Sequence, residues 1–382
     1  MNNLELSLNI SYAQAKDKLR IIINKALQCS YGTNPDILIE KRIEEEWMAI
    51  DRQGAFVEVI LLYEFTKWLK GNSVPYYMMH TAGASLIFYL LGITFGNPLP
   101  PHSYCPKCNK VYWKSLYLDG FDIPNDFCDS FEGTPEIIDM PDLIANVKCT
   151  EDNTTLIHDG HNIPWQSLWG YENSFLQFTI RLPVGVYNKV YEYLSTHCQL
   201  TDGNSVFDDN VKELTVSKIS FIFDLNVNNK VNNFYNHTFT YDDADYVINN
   251  WKSFMSDINS DIPEPGNIAD MFSIYGMLSS NGILDETARF MIDKLLYPPS
   301  DLISFREDIY QYLISHGFSE QNAWQGMEQV RKGKGLLYVN GEMLNSHDQW
   351  VLRRCENIRY LCSKAHIVEE FIATLKLHKC QV

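Results

Sequence analysis

No apolar run in this 382-residue chain is long enough to cross a bilayer. The longest, Ala82 to Ile93, falls well short of the roughly 20 residues that a spanning helix needs, so it reads as a buried element and no membrane partner is expected. The N-terminus, MNNLELSLNI, has no basic segment followed by an apolar one, which argues against a secretory leader. Nine cysteines, an odd number, argue against a disulfide framework and for thiols in a reducing cytoplasm. Basic charge is scarce: 31 Lys and Arg face 48 Asp and Glu, for a formal net charge of −17. The surface as a whole is therefore no nucleic-acid footprint, although a local basic patch stays compatible with that balance. No internal repeat is found.

What is there describes an ordered globular protein. Hydrophobic residues make up 45% and aromatics 13%, and the length suits two or three domains of roughly 100 to 200 residues. Asn34 and Pro35 read as the cap and first position of a helix. Its apolar face is Ile39, Ile43, Trp47 and Ile50, with Arg42 and Glu44 to Glu46 on the other face and Gly54 as the break. A second amphipathic stretch runs through Phe56, Val59, Ile60 and Tyr63 to the turn Gly71-Asn72-Ser73. Strand-like material lies at Phe175 to Leu182 and Ile219 to Leu225, both rich in β-branched and aromatic residues, and from about Asp245 the periods are helical again. Helices, then short strands, then helices favour α+β over a parallel βαβ series.

Several clusters could carry chemistry. Cys105-Pro-Lys-Cys108 has the spacing of half a zinc site; Cys128 and Cys149 would complete four tetrahedral ligands, with His158 and His161 as other donors in range. The same cysteines also fit a reduced, metal-free pair. QVRKGKGLL places Arg331, Lys332 and Lys334 within four residues, spaced by Gly333 and Gly335. Locally this reads as a helix capped by Ser319, with apolar face Ala323, Met327 and Val330, whose last-turn cations suit the helix dipole and whose glycine is the stop. Lys364-Ala-His366 is a second cation pair at the start of an apolar helical run. The acid pairs Asp208-Asp209 and Asp242-Asp243 could hold Mg²⁺ or simply be solvated.

Four blocks make the sequence specific: GITFGNPLPPHSYCPKC (Gly92 to Cys108), GFDIP (Gly120 to Pro124), DGHNIPWQSLWGY (Asp159 to Tyr171), and MEQVRKGKG with CENIRYLCSKAH at the C-terminal end. In these blocks the chain resembles the palm and fingers of the PolC-type DNA polymerase III α subunit of Gram-positive bacteria, from near Ile21 to about His378. The resemblance implies a polymerase-β-like nucleotidyltransferase palm with a zinc-knuckle insertion, followed by mostly helical fingers. The implied division is a helical part of the palm (1–100), a cysteine-bearing insertion (101–160), palm strands with a shortened thumb region (161–250) and a fingers-like domain (251–382). It also implies that Arg331, Lys332, Lys334, Lys364 and His366 face nucleotide phosphates.

The departures from the family fall where catalysis belongs. The family's glycine-containing triphosphate loop is matched by Tyr77-Met78-Met79-His80-Thr81. Its two metal-binding aspartates fall on Phe178 and Ile180, and a third carboxylate falls near His237, with Asp224 as the other candidate. Its second Cys-x-x-Cys is reduced to Cys128, with Phe131 at the other position. The stretch between Leu182 and Phe223 is too short for the family's thumb, and the exonuclease and the duplex-binding and clamp-binding parts are expected to be missing. The expectation is a non-catalytic, cytoplasmic pseudoenzyme of replication that binds a replication protein, a nucleotide or nucleic acid through its fingers-like region, with structural zinc. Two alternatives are an active nucleotidyltransferase, using Mg²⁺ on Asp224 with Asp242 or Asp243, and a purely zinc-stabilised structural subunit.

Overall fold

The computed structural model describes residues 3–5, 10–125, 128, 156–171, 176–197, 199–200, 212–225, 234–236, 241–250, 264–283, 298–336, 338–339, 342–343 and 349–380. The fold is mixed α and β. The opening helices are α1 (Tyr12–Tyr31), α2 (Ile37–Gln53) and α3 (Phe56–Gly71). The cap of α2 is Asp36, whose carboxylate accepts from the Leu38 amide at 2.8 Å, and not Asn34 as the sequence suggests. Asp36 offers a charged acceptor one turn before the apolar series, and the helix starts behind it. Gly54 ends α2 in the left-handed conformation, as expected.

The reading of Arg42 and Glu46 as solvent-facing fails. Glu46 is fully buried and accepts from Arg42 Nε (2.6 Å), Ser85 Oγ (2.6 Å) and the Leu86 and Ile87 amides, so it binds the first turn of the short helix α4 (Leu86–Leu90). A carboxylate at a helix N-terminus satisfies amides that have no partner within the helix, which explains its inward place.

The main sheet has, among the described residues, six strands in the order β2-β6-β9-β8-β1-β7. They are β1 (Asn3–Glu5), β2 (Tyr77–Met78), β6 (Phe178–Pro183), β7 (Gln199–Leu200), β8 (Lys212–Val216) and β9 (Ile219–Leu225). β6 and β9 run parallel, with Ile180 opposite Phe221; β2 joins β6 antiparallel, with Tyr77 opposite Arg181. The short helix α5 (Gln166–Trp169) precedes β6, and the connection between β6 and β9 passes through α6 (Tyr187–His197).

Alternation along β6 divides the sheet into two faces. Phe178, Ile180 and Leu182 point to the helical side: Phe178 packs on Phe88 and Trp169, and Phe221, on the same face as Ile180, meets Phe65 of α3 edge to face at 4.9 Å. The other face carries Tyr77 and Arg181 and is covered by the C-terminal helix α12 (Lys364–Lys379) and the turn at Phe234–Asn236.

A separate three-stranded sheet, β4-β3-β5, is built from His102–Cys105 (β3), Lys110–Trp113 (β4) and Ile157–Asp159 (β5). The C-terminal part adds α7 (Tyr241–Asn249), α8 (Ile268–Leu278), α9 (Arg306–Ser315), α10 (Glu320–Arg331), a hairpin of β10 (Tyr338–Val339) with β11 (Glu342–Met343), and α11 (Gln349–Asn357) before α12. No helix among the described residues is long and apolar enough to cross a membrane.

Candidate functional site

Residues far apart in the sequence meet around the start of α12. Glu307, in the first turn of α9, accepts from Ser363 Oγ at 2.6 Å, from the Lys364 amide at 2.9 Å and from Ser167 Oγ at 2.9 Å. Its neighbour Arg306 donates to the Ser167 carbonyl and to Glu328 Oε1 at 3.2 Å. Glu328 in turn receives Arg331 through Nε at 2.9 Å and Nη2 at 2.8 Å, and Lys332 at 3.4 Å. Lys364 Nζ reaches Asp119 Oδ2 at 3.5 Å, and Asp119 also faces His161 Nδ1 at 3.0 Å inside the core. Glu369, one turn along α12, accepts from the Phe95 and Gly96 amides; burial lifts its pKa to about 8. Glu369 of α12 thus holds the Gly92–Cys108 block, while Arg306 and Glu307 of α9 join the Asp159–Tyr171 block, the Met327–Gly335 block and the start of α12.

These contacts sort the predicted cations. Arg331 and Lys332 are engaged by Glu328, and Lys364 by Asp119. Lys334 is exposed and has no ion pair among the described residues. His366 lies near Glu370 (3.7 Å) and stacks on His80 with ring centroids 6.0 Å apart. Burial and the Arg181 charge lower the His366 pKa to about 4, so at neutral pH it is an uncharged donor or acceptor and not a cation. Between these elements lies a polar cavity of about 150 Å³ lined by Thr81, Gln166, Gln177, Arg306, Glu328 and Arg331.

The expected helix cap at Ser319 is present, its hydroxyl oxygen accepting from the Asn322 amide, and Ala323, Met327 and Val330 are buried. Gly333 has φ +70, and a Cβ there would fall 2.9 Å from the Arg359 carbonyl oxygen. That glycine therefore serves both helix termination and close backbone approach.

The segment 77–81 begins as a sheet strand paired with β6. Tyr77 and Met78 form strand β2, and Met79 donates its amide to the Thr179 carbonyl at 2.8 Å. His80 has φ +60, the left-handed region that glycine adopts most cheaply, at a position where the PolC resemblance places a glycine. Phe178 and Ile180 are 1% and 0% exposed. Facing the opposite side, Arg181 donates to Asp224 Oδ1 and to Tyr77 Oη, each at 2.5 Å. Sequence reasoning missed Arg181; the signal was a charged residue alternating with apolar ones in FTIRL.

The relocated-carboxylate alternative relies on acids already engaged. Asp224 holds Arg181 and Asp243 holds Lys379 at 2.6 Å, while α7 places Asp243 in a helix and not in a loop. The side chain of Asp242, and residues Asp208, Asp209 and His237, lie outside the described residues.

Cys105, Cys108 and Cys128 do come together. Their sulfurs lie within 4.8 Å of one another, Cys108 and Cys128 at 3.6 Å. Tetrahedral zinc with Zn–S near 2.3 Å sets sulfurs about 3.8 Å apart, so three donors fit one ion. Cys149 lies outside the described residues. His158 instead faces Ser103 Oγ at 2.9 Å, and His161 is turned to Asp119.

A mixed α/β chain with a three-cysteine cluster and a charged seam between its sheet and its C-terminal helices is the class these features define. Comparison with curated proteins places its relatives. The chain is homologous to proteins named DNA polymerase III PolC-type: 24% identical to that of Thermotoga petrophila over 93% of this chain and 33% of the relative. It is 21% identical to that of Caldanaerobacter subterraneus over 95% of this chain and 33% of the relative, and 29% identical to that of Lactococcus lactis over 40% of this chain and 8% of the relative. The chain thus spans about a third of the length of the relatives that it matches end to end. No protein-family model matches it.

Proposed function

We propose that this chain is a PolC-derived protein of DNA replication that binds and does not polymerise. The observation that supports it is the character of β6. The positions matched to the family's metal-binding aspartates are Phe178 and Ile180, buried against Phe88, Trp169 and the helical layer. A two-metal nucleotidyl transfer needs carboxylates that bridge both ions, and neither residue can supply an oxygen. In this reading 1–100 and 161–250 form a palm-like unit of the polymerase-β type with a shortened thumb region, 101–160 is the cysteine-bearing insertion and 251–382 is the fingers-like part.

Zinc on Cys105, Cys108 and Cys128, with Cys149 as the fourth donor, serves as a structural tie; it takes no part in any chemistry. The ligand is a nucleoside triphosphate or a nucleic-acid phosphate at the polar cavity beside Arg306 and Arg331; Lys334, Lys364 and His366 do not line that cavity. Because Glu328 already neutralises Arg331 and Lys332, binding is weak unless the anion displaces that carboxylate. The net charge of −17 suits a basic replication protein as macromolecular partner in the cytoplasm.

A titration of a deoxynucleoside triphosphate, followed through the fluorescence of Trp324 on the cavity wall, tests the ligand. Saturable binding weakened several-fold by Arg331→Ala, and tightened by Glu328→Gln, is expected. Binding indifferent to both substitutions would remove the cavity from the proposal.

A further inference from the structure

The seam between the main sheet and α12 contains one cation that belongs to the chain itself. Arg181 rises from β6 on the face opposite the core. Its guanidinium meets oxygens from three separate elements: Asp224 Oδ1 of β9 at 2.5 Å, Tyr77 Oη of β2 at 2.5 Å, and Glu370 Oε1 of α12 at 3.7 Å. Tyr77 Oη also donates to Glu370 Oε1 at 3.2 Å, closing the ring of contacts. The side chains of Arg181, Asp224 and Glu370 keep between a fifth and a third of their surface exposed, so solvent and ions reach the group. Nearby, the imidazoles of His80 and His366 stack on one another, and His366 Nε2 lies 3.7 Å from the other Glu370 oxygen.

We propose that Arg181 is a resident cation: it clasps α12 onto the sheet and keeps this seam closed to divalent metal ions. The argument is one of charge and geometry. Two carboxylates and a phenol oxygen surround a planar, permanently charged guanidinium, Asp224 at Nε and Tyr77 and Glu370 at Nη1. With the arginine present, a divalent ion would have to displace a covalently tethered charge already bonded to the best donor, Asp224. Without it, Asp224 and Glu370 would lose the guanidinium that both of them face. The inference rests on the contacts of Arg181 alone, so its failure would leave the reading of the preceding section standing, which incorporation and nucleotide binding test.

The experiment uses the full chain and Mn²⁺ as the probe, with bound ion read by water-proton relaxation and the docking of α12 by amide hydrogen exchange. Wild type is expected to take up no Mn²⁺ that depends on Asp224. Arg181→Gln is expected to bind one Mn²⁺ per chain at least tenfold more tightly than wild type, to lose that gain when Asp224→Asn is added, and to exchange the amides of α12 faster. Arg181→Lys, which keeps a cation in place, is expected to fold and to exclude Mn²⁺ like wild type. If Arg181→Gln does not fold while Arg181→Lys does, the clasp is supported by that contrast. The proposal is overturned if wild type binds Mn²⁺ in a manner abolished by Asp224→Asn, if folded Arg181→Gln gains no ion and leaves α12 exchange unchanged, or if both arginine variants behave alike.

Discussion

Placing aspartates at Phe178 and Ile180 should unfold this protein. Both side chains are buried on the helical face of β6, with Phe178 between Phe88 and Trp169. Removing a buried phenylalanine to a short side chain costs about 3 to 5 kcal/mol, and an isoleucine about 2 to 5 kcal/mol, through lost burial and the cavity left behind. A carboxyl group placed there must also be kept neutral, which at pH 7 costs roughly 4 kcal/mol for a group that ordinarily titrates near 3.9. Each single substitution therefore costs about 6 to 9 kcal/mol, against a net stability of about 5 to 15 kcal/mol for typical proteins, and the double variant, at about 13 to 18 kcal/mol, reaches or passes the top of that range. Urea unfolding followed by far-ultraviolet circular dichroism measures this. Phe178→Asp/Ile180→Asp is expected to be unfolded or insoluble, whereas Ile180→Val loses only about 1 kcal/mol. A folded double variant within about 1 kcal/mol of wild type would refute the assignment of these residues to the core face.

Two further outcomes follow from the buried polar contacts and the cysteines. Glu46→Ala leaves Arg42, Ser85 and the first amides of α4 without their acceptor, so it should cost about 3 to 5 kcal/mol in the same urea assay; a loss under about 1 kcal/mol would show that water replaces the carboxylate. Purified protein should carry close to one zinc per chain by elemental analysis, and Cys105→Ser or Cys108→Ser should lower both zinc content and unfolding midpoint. A metal-free wild type as stable as either variant would show that the three sulfurs are a reduced cluster only.

What the sequence disclosed and what it hid divide along locality. Strand β9 appears at Ile219–Leu225 and the Ser319 cap sits where it was expected, because both are set by residues a few positions apart. Hydrophobic period likewise found the helices over Ile37–Gln53 and Phe56–Gly71. It misassigned Glu46, since a buried carboxylate and a solvated one look alike until the amides of Leu86 and Ile87, forty residues away, come into view. The quoted sequence blocks pointed to a common site, and Glu307, Arg306 and Glu328 join three of them, Asp159–Tyr171, Met327–Gly335 and Cys355–His366. None of those three could be picked out beforehand, because their role depends on three helices packing at one point. The clasp at Arg181 was hidden for the same reason: its partners Asp224 and Glu370 lie 43 and 189 positions along the chain, and pairing of β6 with β9 brings in the first of them.

The proposed function holds that this chain binds and does not polymerise, and primer extension tests that most directly. Purified protein is given a primed DNA template, all four deoxynucleoside triphosphates, and Mg²⁺ or Mn²⁺. No extension above a protein-free control is predicted with either metal; metal-dependent incorporation that tracks with the purified chain and disappears with Asp224→Asn would contradict the account.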